Sequence, residues 1–211
     1  MWLIPSNESA RVILTMRSSI AMALLLAFAC SMTVPSRASD GVTVVSVYSP
    51  FNGKQLAKNL IVDATVRGSC WTGSIAMSGR SDAWRCMVGN DISDPCYAGY
   101  LSDDHVAVCG GPFSSHVEVI KLSAPLSSSD ANQSTSTRGD PSALQLGDGA
   151  RCEMITGATN AVNGMRLNYG CVGDKESVYG DPDRSTSLWK VHVMSTGGSK
   201  MRLVTVRVAW F

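Results

Sequence analysis

The chain has 211 residues, of which 45% are hydrophobic and 17% charged, with a formal net charge of +1. The charged share is below the roughly one quarter that is usual for a soluble domain. Without residues 1–38, Lys plus Arg falls from 18 to 15 and Asp plus Glu from 17 to 16, which leaves a net charge near −1. This balance predicts neither a nucleic-acid partner nor attraction to an anionic membrane surface, since both require clustered basic residues.

The N-terminal segment has the order of features typical of a secretory signal. A basic residue precedes the short apolar run Ile20–Val34, and Ser36 and Ala38 supply small residues for cleavage before Ser39. The run is shorter than the about 20 apolar residues that span a membrane. We therefore predict a signal peptide over residues 1–38 and no transmembrane segment in the mature chain.

Two alternatives concern this same segment. Residues 1–15 fit poorly as part of a signal because they carry Glu8 among scattered apolar residues, so Met16 is a candidate for the true start. The stretch Ala27–Cys30 loosely resembles a lipobox, in which Cys30 would carry a lipid. That interpretation predicts a membrane-anchored lipoprotein, whereas signal cleavage predicts a soluble periplasmic or extracellular protein.

Short β-branched or alternating segments, separated by turns, follow the signal and predict strands. In chain order they are Val42–Tyr48, Leu60–Val66, Val106–Cys109, His116–Leu122, Ala143–Leu146, Ala150–Ile155, Gly164–Val172, Leu188–Met194 and Met201–Phe211. The Gly147-Asp148-Gly149 stretch between two apolar alternations predicts a hairpin. No long amphipathic helical pattern is present in the sequence.

This pattern predicts lead-in strands over residues 39–67 and one disulfide-stapled β domain over residues 68–211. The polar stretch SSSDANQSTSTRGDP at 127–141 predicts a surface loop. We expect a mainly β fold, a single disulfide-stapled antiparallel sandwich or small barrel.

Six cysteines follow the signal, and an even number in an exported chain indicates disulfides. The favoured pairing is sequential, because each bond then closes a short local loop: Cys70–Cys86, Cys96–Cys109 and Cys152–Cys171. A zinc site is disfavoured because no CxxC pair occurs. A catalytic thiol is disfavoured because the even count leaves no spare cysteine.

Two tryptophans and three arginines are the candidate binding residues. Trp71 and Trp84 lie beside Cys70 and Cys86, so they either pack on a disulfide in the core or form an exposed platform for a sugar or peptide. The arginines could bind an anionic group or pair with Asp82, Asp94 or Asp183; they are Arg85, Arg166 and Arg184.

Candidates for chemistry are weaker. Asp181 and Asp183 stand at alternate positions, as in a calcium loop, but the glycine and distal glutamate of an EF-hand are missing, so a turn with capping aspartates is favoured. Asp103, Asp104 and His105 place carboxylates beside an imidazole without a GxSxG elbow. Neither set predicts a cofactor or a firm metal site.

Five motifs, in this order along the chain, resemble those of a group of exported, cysteine-containing bacterial proteins for which no function is established. They are GSCWTGSIA, RSDAWRCMVGN with DISDPC, GDGARCEMITGAT, GMRLNYGC and GDPDRSTSLWKV, and the resemblance spans about residues 68 to 211. The resemblance implies that the six cysteines form a shared framework. It supplies no catalytic residues.

Together these observations favour a non-enzymatic exported protein that binds a protein, peptide or glycan at the cell envelope. The alternatives are an inhibitor of an envelope hydrolase and a secreted hydrolase that uses Asp103, Asp104 and His105, or Asp181 and Asp183.

Overall fold

The computed structural model describes residues 41–98, 105–126 and 139–211, which belong to one compact unit, Ser39–Phe211. The predicted signal peptide, the alternative start at Met16 and the lipid-carrying Cys30 lie outside these ranges, as do Asp103, Asp104 and most of the predicted loop at 127–141. The described ranges contain fifteen strands. They contain no helix long and apolar enough to cross a membrane.

The strands belong to two closed barrels, a small hairpin and a lead-in. In chain order they are β1 (Val44–Ser46), β2 (Phe51–Asn52), β3 (Gln55–Leu56), β4 (Ile61–Gly73), β5 (Ala83–Val88), β6 (Asp91–Tyr97), β7 (Val106–Cys109), β8 (His116–Leu122), β9 (Ala143–Leu146), β10 (Arg151–Met154), β11 (Ala161–Val162), β12 (Met165–Cys171), β13 (Glu176–Asp183), β14 (Lys190–Ser195) and β15 (Met201–Trp210).

The first barrel is a meander of the five strands β4 to β8. Each strand pairs antiparallel with the next, and β8 returns to pair with β4. Because five is odd, the closing pair must run parallel, as it does from Ile61 beside His116 to Gly68 beside Leu122. Closure leaves no free sheet edge in this barrel, and free edges are where strands aggregate.

The second barrel closes six strands in the ring β9-β10-β12-β13-β14-β15. Six is even, so the closing pair of β15 with β9 is antiparallel, with Trp210 beside Ala143. The predicted hairpin at Gly147–Gly149 is the β9–β10 connection. Inward side chains that include Leu144, Tyr169 and Val193 fill the interior.

The mainly β, disulfide-stapled barrel class is confirmed, but the described chain contains two closed barrels where the sequence predicted a single sandwich or barrel. Strand positions follow from local alternation, whereas the number of barrels depends on which distant strands pair. The β4–β8 pair joins segments about fifty residues apart, so no local pattern marks it.

All three predicted disulfides are present, and each joins directly opposed residues on neighbouring antiparallel strands. Cys70–Cys86 links β4 to β5, Cys96–Cys109 links β6 to β7, and Cys152–Cys171 links β10 to β12. Two of the bonds thus cross-link the five-stranded barrel and one cross-links the six-stranded barrel. Such bonds are typical of proteins that mature in an oxidising, exported environment.

The lead-in contacts both barrels. β1 pairs in parallel with β15, and the Tyr48 ring lies edge-on to Tyr97 at 5.5 Å, on the outside of the five-stranded barrel. The Arg80 guanidinium donates to the backbone oxygens of Tyr48 and Phe211 and pairs with Asp82. These contacts hold the lead-in, the β4–β5 connection and the end of β15 together.

The connection between β7 and β8 makes a second contact between the barrels. Phe113 lies edge-on to Trp210 with ring centroids 4.9 Å apart, and the Arg151 guanidinium lies over the Phe113 ring. A Cβ at Gly111 would lie 2.6 Å from Glu153 Oε1, so a larger residue at this position would displace the Glu153 side chain. A cavity lies next to this contact.

Candidate functional site

The outer surface of the five-stranded barrel carries a group of exposed apolar side chains around Trp71. On β5, Trp84 and Cys86 point into the barrel, so Arg85 and Met87 point outward. Met87 lies opposite Ile92 on β6. Met87 is 39% exposed and Ile92 is 51% exposed. We name this surface the Trp71 face and define it by five residues: Trp71, Ile75, Arg85, Met87 and Ile92.

Trp71 reaches this surface through an irregularity in β4. Cys70 pairs with Cys86 and Thr72 with Arg85, so Trp71 is an extra residue on the β4 side of the ladder. Such a bulge re-aims a side chain. Trp71 is 42% exposed, and the Arg85 guanidinium lies 5.9 Å from the centre of its ring.

A buried carboxylate holds the neighbouring loop against this face. The Asp94 side chain is fully buried, accepts hydrogen bonds from Ser74 Oγ and the Ile75 N–H, and lies 3.6 Å from Arg85 Nη1. Burial raises the pKa of Asp94, while the hydrogen bonds and the Arg85 charge oppose that rise. Asp94 thereby positions both Arg85 and Ile75 on the Trp71 face.

Trp84 does not contribute to any exposed platform. It is 4% exposed and packs in the barrel core with the four cysteines of the two barrel disulfides. The sequence left open whether Trp71 and Trp84 face inward or outward, and the structure separates them. Trp84 packs on the disulfides, and Trp71 alone of the two faces solvent.

The other two candidate arginines lie on the six-stranded barrel and are engaged in local contacts. Arg166 donates to Asn168 Oδ1 and to the backbone oxygens of Ile155 and Gly157. Arg184 pairs with Asp140 at 2.7 Å and lies over the Trp189 ring at 4.8 Å. The structure therefore joins Arg85 with Trp71 and places Arg166 and Arg184 elsewhere.

Asp181 and Asp183 line one cavity, but each carboxylate accepts a local hydrogen bond. Asp181 accepts from Asn168 Nδ2, and Asp183 accepts from the Ser185 N–H, which lowers the Asp183 pKa. This is the arrangement of capping aspartates in a turn. In the described part of the chain, three potential metal-ligating atoms converge in one place. They are the sulfurs of Cys86, Cys96 and Cys109, and all three belong to disulfides.

One concave site in the described ranges is the cavity between the barrels. Its volume is about 310 Å³, and three acidic residues, Asp94, Glu118 and Glu153, line it together with Ser93, Cys109, Gly110, Gly111 and Ser142. Nearby protein atoms displace water from Glu153 and raise the pKa of its carboxyl, while Arg151 partly opposes this.

We expect Glu153→Gln to change the pH dependence of stability. A raised carboxyl pKa means that folded protein binds the proton more tightly than unfolded protein, so stability falls as pH rises through the folded pKa. Glutamine removes this loss, so the variant should gain on the wild type above that pH. The gain should be less than about 1 kcal/mol, because Glu153 loses only part of its hydration and keeps an exposed surface that screens the effect. Urea unfolding from pH 4 to pH 8 measures the gain; a difference that is constant or shrinks with pH would contradict it.

No protein-family model, curated protein or solved structure matches the chain. The resemblance to exported cysteine-containing bacterial proteins therefore stays a prediction, and the site must be interpreted from its own chemistry.

Sequence reasoning missed three members of the Trp71 face: Ile75, Met87 and Ile92. The sequence of Trp84–Val88 did contain a signal for Met87. Alternation along this strand places Met87 on the same face as Arg85 and on the other face from Cys86. Ile92 and Ile75 join the face through the β5–β6 register and the hydrogen bonds of Asp94, which the alternation within a single strand does not show.

Proposed function

We propose that the chain is an exported, non-enzymatic module that binds a protein partner through the Trp71 face. The observation that carries this proposal is an exposed tryptophan next to an arginine and three exposed apolar side chains on a closed, doubly cross-linked barrel. Isolated surface hydrophobics are ordinary, whereas a contiguous group supports an interaction site.

The chemistry of this face favours a protein over a glycan. Tryptophan, arginine and methionine are enriched at protein–protein interfaces, and tryptophan and arginine dominate their binding energy. A sugar site needs polar groups around the aromatic ring that hydrogen-bond hydroxyls. On the Trp71 face the other exposed side chains besides Arg85 are the apolar Met87, Ile92 and Ile75, and the charged pair of Arg85 with Asp94 is already satisfied.

The face is also held in place before any partner binds. Cys70–Cys86 fixes the strand position beside Trp71, and Asp94 fixes Ile75 and Arg85. A surface that is ordered in advance loses little conformational entropy on association, which favours affinity. An inhibitor of an envelope hydrolase would use such a face in the same way, with the hydrolase as its partner.

The experiment compares three immobilised forms of the mature chain, residues 39–211: wild type, Trp71→Ala and Leu203→Ala. Leu203 is the matched control because it is an apolar residue 60% exposed on β15, in the other barrel. Each form is exposed to solubilised envelope proteins and, separately, to purified cell-wall glycan.

We expect one or more proteins to bind wild type and Leu203→Ala at least tenfold better than Trp71→Ala. Equal retention of the same proteins by Trp71→Ala would contradict the proposal. Retention of the glycan that Trp71→Ala abolishes would replace the protein partner with a sugar.

A further inference from the structure

The two disulfides of the five-stranded barrel lie side by side in its core. The sulfurs of Cys86, Cys96 and Cys109 are all within 4.8 Å of one another, although Cys86 belongs to one disulfide and the other two form the second. The cause is the β5–β6 pairing: Trp84 is opposite Cys96, and Cys86 is the next inward residue on β5. Both bonds therefore meet across one pair of neighbouring strands.

The four sulfurs differ in access. Cys86 and Cys96 are fully buried, whereas Cys70 is half-buried next to exposed Trp71. Cys109 is 7% exposed and lines the cavity between the barrels, beside Gly110 and Gly111. Among these four cysteines, Cys70 thus offers a solvent thiol its best approach, and Cys109 is the one that lines the cavity.

We propose that reduction at Cys70 is relayed through the barrel core and releases the thiol of Cys109 into the cavity. A thiolate of a small dithiol attacks Cys70 Sγ, and Cys86 leaves as a thiolate. The second thiol of the reductant then displaces Cys70 as a thiol, so the dithiol becomes a disulfide and two electrons enter the protein. Cys86 Sγ next attacks Cys96 Sγ, the Cys96–Cys109 bond breaks, and Cys109 leaves as a thiolate that takes a proton.

The direction of the exchange follows from solvation, because the Cys86 sulfur lies within 4.8 Å of both Cys96 and Cys109. Cys109 is the better leaving group of the second bond. It is 7% exposed and lines the cavity, whereas Cys96 is fully buried, and burial disfavours a thiolate. The products are a Cys86–Cys96 disulfide and free thiols at Cys70 and Cys109.

This assigns Cys109 as a thiol-modification site that a reductant exposes, and its thiolate would react with soft electrophiles and with small disulfides. The Cys152–Cys171 disulfide is expected to take no part. In the ranges that the structure describes, no third cysteine sulfur lies within 4.8 Å of that pair.

The first test uses the wild-type mature chain. It is treated briefly with less than one equivalent of dithiothreitol, quenched with acid, alkylated with N-ethylmaleimide and mapped as non-reduced peptides. The relay predicts label on Cys70 and Cys109 together with a Cys86–Cys96 peptide. Label on Cys70 and Cys86 with Cys96–Cys109 intact overturns it, as does any other labelled pair in this barrel.

The second test needs no reductant. In Cys70→Ser, Cys86 starts without its partner, and the relay predicts that more than half of the free thiol is found at Cys109. Label that stays on Cys86 overturns the proposal. The matched control is Cys171→Ser, in which the free thiol should stay on Cys152 because no neighbouring disulfide is within reach.

Discussion

Replacing Trp84 by alanine is expected to lower the free energy of unfolding by about 3–5 kcal/mol, the usual cost of truncating a buried large aromatic side chain. Trp84 is 4% exposed and contacts both disulfides of the five-stranded barrel, so its removal leaves a cavity between two covalent cross-links that limit how far the core collapses. Equilibrium urea unfolding at neutral pH measures the change.

Trp71→Ala is the matched control for this prediction. Its side chain is exposed and contacts chiefly the Arg85 guanidinium, so the same substitution should cost less than about 1 kcal/mol, the range of an exposed cation–π contact. The two variants should therefore separate stability from binding: Trp84→Ala loses stability, and Trp71→Ala loses the partner. Equal destabilisation by both would contradict the placement of the two rings.

The second large effect is expected from removing the Cys152–Cys171 disulfide as the double variant Cys152→Ala/Cys171→Ala. The bond spans 19 residues and links β10 to β12 in the six-stranded barrel, and a loop of that length corresponds to about 3 kcal/mol. The midpoint of urea unfolding should fall accordingly. An unchanged midpoint would show that the β10–β12 pairing is already fixed by the closed barrel.

The location of this effect offers a further check. Because Cys152–Cys171 lies in the six-stranded barrel, amides of β9 to β15 should lose more hydrogen-exchange protection than amides of β4 to β8. Loss that is uniform over both barrels would contradict this expectation and would show that the two barrels unfold as one unit.

Features that depend on local spacing were predictable from the sequence. The disulfide pairing followed from short loops between cysteines, and cross-strand bonds of this kind need only a hairpin with cysteines at opposed positions. The strand at Met201–Phe211 and the hairpin at Gly147–Gly149 likewise followed from alternation and turn chemistry. Each is set by residues within about twenty positions of one another.

The orientation of Trp71 and Trp84 could be predicted in part from the sequence. Once Cys86 is assigned to an inward disulfide, alternation along β5 places Trp84 inward and Met87 outward. Alternation likewise favours an outward Trp71 beside the inward Cys70, although the bulge at Trp71 depends on the β4–β5 register. Both orientations stayed open because the cysteine assignment and the strand period predict them only in combination.

The closure of the first barrel and the pairing of distant side chains could not be predicted from the sequence. The parallel β4–β8 pair that closes the first barrel joins residues about fifty positions apart, and Arg184 meets Asp140 across 44 positions. Such contacts depend on the whole topology. For the same reason the sequence did not show the cavity lined by Glu118 and Glu153, whose walls come from both barrels.

The most direct test of the Trp71 face is an oxidative footprint of the mature chain with and without the protein that it retains. Trp71 and Met87 both carry oxidisable side chains at this surface, and Met201 on the other barrel is the internal reference. Binding at the proposed face predicts that oxidation of Trp71 and Met87 falls severalfold while oxidation of Met201 is unchanged. Unchanged oxidation of Trp71 and Met87 in the complex would contradict it.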